Sequence, residues 1–186
     1  MIKIILSFFM LCSVAYADRD GGPYIGVGYG ISKYSNDGLY DTLYEDTSEA
    51  LTLYGGAYIN KHLSVELGYV SFDAKNYADG YVVDENKTLG FGVISVSTLA
   101  HYPFFDDSLD VYIRFGVGEM SLSGLEKSGF VMQYGLGVGV RIDETLSIKM
   151  AYDLYRFNYD DESDASNIVG YKMEIDYIYS AIEVQF

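Results

Sequence analysis

The chain has 186 residues, with 27 acidic side chains against 12 basic ones and a formal net charge of −15. This acidic excess excludes nucleic acid as a partner, because phosphate binding needs a basic surface. Hydrophobic residues make up 49% of the chain, with 20 Tyr, 10 Phe and 20 Gly but only 2 Pro and no Trp, an unusual balance for a water-soluble domain.

The first element is a leader. Lys3 gives a positive start, Ile4 to Val14 is apolar, and Ala15-Tyr16-Ala17 is a small-x-small cleavage site. These are the three parts of a secretory signal peptide, with the cut expected after Ala17. The apolar run is too short for a transmembrane helix, which needs about 20 residues. Leu11 before Cys12 does not suit a lipidation site. Cys12 is the only cysteine and leaves with the leader, so disulfide and thiol chemistry are not expected. Residues 18–186 are expected to form one domain.

Eight segments of period-two alternation follow. The first, Tyr24 to Ser32, sets Ile25, Val27, Tyr29 and Ile31 against three glycines. The second, Leu51 to Ile59, sets Leu51, Leu53, Ala57 and Ile59 against Thr52, Tyr54, Gly56 and Tyr58. The third, Leu63 to Phe72, sets Leu63, Val65, Leu67 and Tyr69 against Ser64, Glu66 and Gly68. The fourth, Leu89 to Tyr102, mixes Ser, Thr and apolar residues on both faces. The fifth, Val111 to Gly118, sets Val111, Ile113, Phe115 and Val117 against Tyr112, Arg114 and two glycines. The sixth, Phe130 to Arg141, sets Met132, Tyr134, Leu136, Val138 and Val140 against Gln133, three glycines and Arg141. The seventh, Leu146 to Tyr155, sets Leu146, Ile148, Met150, Tyr152 and Leu154 against Lys149, Ala151 and Asp153. The eighth runs from about Val169 to Phe186.

Long polar connections follow the odd segments (33–49, 73–87, 119–129 and 157–168) and carry most of the acidic excess. Short turns follow the even ones, at Asn60-Lys61-His62, Pro103 to Asp110 and Asp143-Glu144-Thr145. This layout predicts an all-β fold, an eight-stranded antiparallel up-and-down transmembrane β-barrel with its turns in the periplasm. The apolar faces are expected to meet lipid. The glycine-rich faces suit a crowded interior, and a closed barrel pairs every backbone group without an edge. Tyr24, Tyr29, Tyr69, Tyr102, Tyr134, Tyr152 and Phe186 are expected at the membrane interfaces. Ile178, Ile182, Val184 and terminal Phe186 share a face that matches the signal recognised by the barrel-assembly machinery.

Two stretches carry a family resemblance. Tyr54 to Tyr69 resembles the second hairpin of the OmpA-like transmembrane domain, and Tyr102-Pro103 with Asp106 to Gly116 resembles its fourth turn and fifth strand. The likeness implies the broad OmpA-like, porin-family group of outer-membrane barrels. The peptidoglycan-binding role of a further domain in full-length relatives is not carried over.

Glu66, Arg114 and Lys149 are each the fourth residue of a strand that rises from the periplasmic side. At about 3.3 Å per residue they are expected at one height, roughly 10 Å above the turns. In the family a lumen Glu and Arg residues form a buried ion-pair network. Glu66 and Arg114 match it, Lys149 stands where the family has Arg, and Gly139 replaces the acid on strand six. Asp153 is expected to compensate. Tyr54, Tyr58, Tyr112, Gln133 and Arg141 are expected to complete a polar lumen. Two readings stay open for these charges: they fill the lumen and satisfy one another, or they gate a narrow pore by exchanging partners.

The acidic connections are read as a solvated face, with contact to lipopolysaccharide through divalent cations, or a receptor or adhesion surface, as alternatives. Asp160-Asp161-Glu162-Ser163-Asp164 lacks the spacing and the glycine of a calcium loop. No cofactor, metal or nucleotide site is expected, since the two Gly-x-Gly-x-Gly runs keep strand alternation. No catalysis is expected either: His62 and His101, the only histidines, fall at the periplasmic end, without a triad at the outer rim. The chain is expected to be a monomer of the cell outer membrane. Its expected partners are membrane lipid and lipopolysaccharide, with periplasmic chaperones and the assembly machinery during biogenesis.

Overall fold

The computed structural model describes residues 21–36, 47–75, 89–122, 127–161 and 169–186. The expected leader with Ala15 and Ala17, and the middle of each long connection, lie outside the described residues. Eight strands follow one another: β1 (Gly22–Asn36), β2 (Thr47–Asn60), β3 (Leu63–Lys75), β4 (Leu89–Phe104), β5 (Leu109–Leu122), β6 (Lys127–Arg141), β7 (Leu146–Asp161) and β8 (Val169–Gln185). Each pairs antiparallel with the next, and β8 returns to β1 to close the barrel. The β1–β8 seam runs unbroken from Tyr24↔Gln185 to Asn36↔Met173. The ring therefore has no edge strand that needs covering.

The strands are longer than the alternation predicts. β1 continues to Asn36, β2 begins at Thr47, and β7 reaches Asp161. Segments that read as polar loop are strand, because polar residues also alternate there and a barrel that rises above the bilayer has a wet exterior.

Side-chain polarity inverts along the barrel axis. In the lower part the outer face is apolar and exposed, with Val27, Leu53, Leu67, Ile113, Leu136 and Ile182 among its residues. A face this greasy is a lipid-facing one. Toward the loop end the outer face turns polar, with exposed Lys33, Glu49, Asp73, Glu119 and Arg156 and half-buried Glu174 and Asp176. The lumen does the reverse. Its lower part holds Ser64, Glu66, His101, Asp110, Arg114, Lys149 and Glu183. Its upper part is apolar, with Tyr34, Phe72, Phe91, Met120, Phe157 and Ile175 buried together. This explains why β4 gave no clear faces: Phe91, Val93 and Leu99 point into the lumen alongside Ser95, Ser97 and His101.

The turns follow local chemistry. Asn60 Oδ1 accepts from the His62 backbone N–H at 2.8 Å. Asp143 Oδ1 accepts from the backbone N–H groups of Thr145 and Leu146, both at 2.8 Å, and from the Thr145 hydroxyl at 2.9 Å. These are side-chain mimics of a backbone turn. The β4–β5 turn is different. Phe105, Asp106 and Asp107 all have positive φ, at 51°, 52° and 65°. A left-handed backbone costs an L-residue roughly 1–2 kcal/mol.

Candidate functional site in the barrel lumen

Even positions of β1–β3 and β5, and odd positions of β4 and β6–β8, point inward. This parity collects the charged side chains of five strands, with His101 of β4, in one enclosed space. Arg114 on β5 is its centre. Its Nη2 donates to Glu66 Oε1 at 2.9 Å, and its Nη1 donates to Asp153 Oδ2 at 2.5 Å and to Tyr179 Oη at 2.7 Å. One guanidinium thus ties β3, β5, β7 and β8 together. A buried ion is tolerable only when paired and hydrogen-bonded in this way.

Gln133 joins this centre from β6. Its Nε2 donates to Asp153 Oδ2 and to Tyr155 Oη, both at 3.1 Å, and its Oε1 accepts from Ser95 at 2.8 Å and Ser97 at 2.9 Å. Among the described residues, Arg114 Nε, Asp153 Oδ1 and the hydroxyls of Tyr54 and Tyr112 are buried without a hydrogen-bond partner.

Glu66, Arg114 and Asp153 come together as expected; Lys149 does not. It pairs with Glu183 on β8, and its ammonium lies 5.1–5.9 Å from the ring centres of Tyr24, Tyr54, Tyr58 and Tyr112. Tyr58 also donates to Glu183 Oε1 at 3.3 Å. Strand registers stagger around a barrel, so equal counts along two strands do not bring their side chains into line. Arg114 is in line with Gly135 and Asp153, whereas Lys149 is in line with Gly139 and Asp110. Lys149 therefore sits about four residues below Arg114 along the register. Arg141 lies lower still, half-buried, and donates to Gln185 Oε1 at 3.1 Å.

Below the arginine a second chain of groups runs to the periplasmic rim. Tyr24 donates to Glu66 Oε2 at 3.2 Å and lies 3.3 Å from Ser64 Oγ. Ser64 Oγ is 2.8 Å from His101 Nε2, and His101 Nδ1 is 2.7 Å from Asp110 Oδ2. Ser64 and Asp110 thus flank His101 in triad order, at the periplasmic end and not at the outer rim. The arrangement is closed, however. Ser64 is 0% exposed, and its oxygen is already contacted by both His101 and Tyr24, which leaves no approach for a substrate carbonyl.

Tyr24 is also a correction, because it is buried in the lumen and not at an interface. The parity of Gly26, Gly28 and Gly30 on the same strand carries that signal. The other interfacial aromatics face outward, with Tyr152 half-buried. Ile178, Ile182 and Phe186 are exposed on the lipid face of β8, and Val184 is half-buried on that face. Glu183, Tyr179, Ser95, Ser97 and Asp110 were not singled out from sequence. For Glu183 the signal was present, since its neighbours Ile182 and Val184 already point to lipid. No group of three or more metal-ligating side chains occurs among the described residues.

The comparisons agree with this architecture. No curated protein sequence matches the chain. Among solved structures, Neisserial surface protein A aligns with a TM-score of 0.62 at 10% identity, over 89% of this chain and 99% of that one. OprG of Pseudomonas aeruginosa gives 0.57 at 13%, over 92% and 99%. Ail, the attachment invasion locus protein of Yersinia pestis, gives 0.53 at 14%, over 89% and 99%. These likenesses concern the fold. The family model described as "Outer membrane protein beta-barrel domain" matches residues 4–172. With that match over most of its length, the chain belongs to the outer membrane protein β-barrel domain family.

Proposed function

We propose that this outer-membrane barrel is a closed structural and surface-presenting protein and not a pore. The observation that supports the reading best is the filled lumen. Below, Arg114, Glu66, Asp153, Gln133 and Lys149 interlock; above, Phe72 packs edge-on against Tyr155 and Tyr177 at 5.8 and 5.7 Å, and Tyr34 lies 5.1 Å from Phe91. An eight-stranded barrel is just wide enough for its own side chains. An ion would have to displace both a salt-bridged layer and a dry aromatic layer. Planar-bilayer recording of the refolded protein tests this: absence of steady channels is expected, and reproducible unitary conductance would favour the porin-like alternative.

In this reading the protein is a monomer surrounded by membrane lipid and lipopolysaccharide. It is exported with cleavage after Ala17, escorted by periplasmic chaperones, and inserted by the barrel-assembly machinery through the Ile178, Ile182, Val184 and Phe186 face. It needs no cofactor and performs no catalysis. An adhesin role is the second reading, favoured by strands that carry the connections clear of the bilayer. One structural neighbour, Ail, is described as an attachment protein, and it has been solved with the heparin analogue sucrose octasulfate. The net charge of −15 argues against a polyanion of that kind as a ligand here. Shortening the acidic connections and measuring adhesion to host cells separates the two readings.

A further inference from the structure

We infer that the strained β4–β5 turn is a lipid anchor, which places Phe105 in the headgroup zone of the periplasmic leaflet. Phe105 is 79% exposed, the most exposed large hydrophobic side chain among the described residues. It does not stand alone. Tyr102 and Phe104 occupy successive outward positions of β4, with ring centres 4.7 Å apart, and the Phe105 ring follows 6.5 Å from Phe104. The three rings form one row that leaves the strand and continues onto the turn. The row extends the lipid-facing surface, which says what covers it.

Depth supports the same occupant. The outward positions of β4 run from Ile94 through Val96, Thr98, Ala100 and Tyr102 to Phe104. A tilted strand crosses the hydrocarbon in about nine to eleven residues, so Phe104 stands at the edge of the apolar layer and Phe105 just beyond it. Aromatic rings are stabilised at that boundary. The backbone is committed to this display. Phe105, Asp106 and Asp107 all adopt the left-handed conformation, where glycine or asparagine is the ordinary choice. Ser108 closes the turn, donating its N–H to the Phe105 carbonyl at 3.1 Å, and ties it to β6, its own carbonyl accepting from the Arg141 N–H at 2.9 Å. Asp106 is exposed next to the ring, so an apolar and an ionic side chain are held side by side, as a boundary between oil and water requires.

The chain has no tryptophan, which makes a clean optical test possible. Phe105→Trp and, separately, Tyr102→Trp are refolded into phosphatidylcholine vesicles brominated either near the headgroups or near the chain ends. Trp at 105 is expected to emit blue-shifted from free tryptophan, to be quenched more by the shallow bromines than by the deep ones, and to resist aqueous acrylamide. Water-like emission from 105 that acrylamide quenches, with 102 still quenched by lipid, overturns the inference and leaves the turn free in the periplasm. Should Trp impair folding, Phe105→Cys in a Cys12→Ser chain carries a nitroxide. Greater accessibility to oxygen than to a nickel chelate supports the anchor, and the opposite ratio overturns it.

Discussion

Arg114 and Asp153 form their ion pair across an intervening strand. β6 runs between them, and the residue in register with both is Gly135. A side chain there would fall on the Asp153 carboxylate and 3.2 Å from the Tyr152 carbonyl oxygen. The missing Cβ is what lets the guanidinium reach over.

Gly135→Ala is therefore expected to destabilise the barrel by about 1–3 kcal/mol, the usual cost of overpacking. The clash is with a pinned carboxylate, so the same substitution should cost less in an Asp153→Ala background. Urea unfolding in micelles, run as a double-mutant cycle, measures this. Equal costs in both backgrounds would contradict the crossing geometry.

Removing Arg114 strands two buried acids. Arg114→Met is expected to cost about 3–5 kcal/mol, as for other broken buried pairs. Adding Glu66→Gln and Asp153→Asn should recover much of that loss. Lys149→Met should behave in parallel with Glu183→Gln and be insensitive to Glu66→Gln, because Lys149 answers to β8. Coupling of Lys149 to Glu66 and not to Glu183 would show the pairing to be misassigned.

Two lumen glycines make a controlled comparison. A Cβ at Gly118 would press on the main-chain oxygen of Ile94 and lie 2.8 Å from Ser95 Cα, and neither atom can yield. At Gly68 the nearest atom is Ser95 Oγ at 3.6 Å, an ordinary contact. Gly118→Ala is expected to lose about 1–3 kcal/mol. Gly68→Ala should be neutral or gain slightly, since glycine in a strand costs roughly 0.5–1 kcal/mol relative to alanine. The difference in urea midpoint checks the ordering.

Asp143, in the turn after β6, gives a pH signature. The backbone N–H groups of Thr145 and Leu146 and the Thr145 hydroxyl hold its carboxyl below the ordinary value of 3.8. A folded-state value lower than the unfolded one stabilises the fold above the unfolded value, and that contribution is lost as pH falls through the folded one. The wild-type protein should therefore lose turn stability only below about pH 4, relative to an Asp143→Asn variant whose turn does not titrate. Hydrogen exchange at the Thr145 and Leu146 amides, followed against pH, reads this directly.

Much of the fold was legible because most strands keep strict alternation. Val111, Ile113, Phe115 and Val117 against Tyr112 and Arg114 left one consistent orientation. β4 was obscure because Phe91 and Val93 obey a different rule in the upper lumen, where apolar residues belong inside, and because Leu99 turns an apolar side chain inward in register with Arg114. Glu66, Arg114 and Asp153 were legible by parity. The partner of Lys149 was not, because position along a strand says nothing of the stagger between strands. Alternation with Ile182 and Val184 turns Glu183 inward, but its pairing with the lysine shows only once β8 is laid beside β7, where it is in register with Ser147, two residues away.

The polarity inversion also sets where the barrel rides. Moved outward, Ile31, Leu51 and Val117 would be lifted into water; moved inward, Glu49, Asp73 and Asp176 would be dragged into hydrocarbon. Both displacements are penalised around the whole circumference, so tilt is resisted together with drift. The barrel behaves as a self-levelling float whose waterline is inscribed in alternate residues of its own wall.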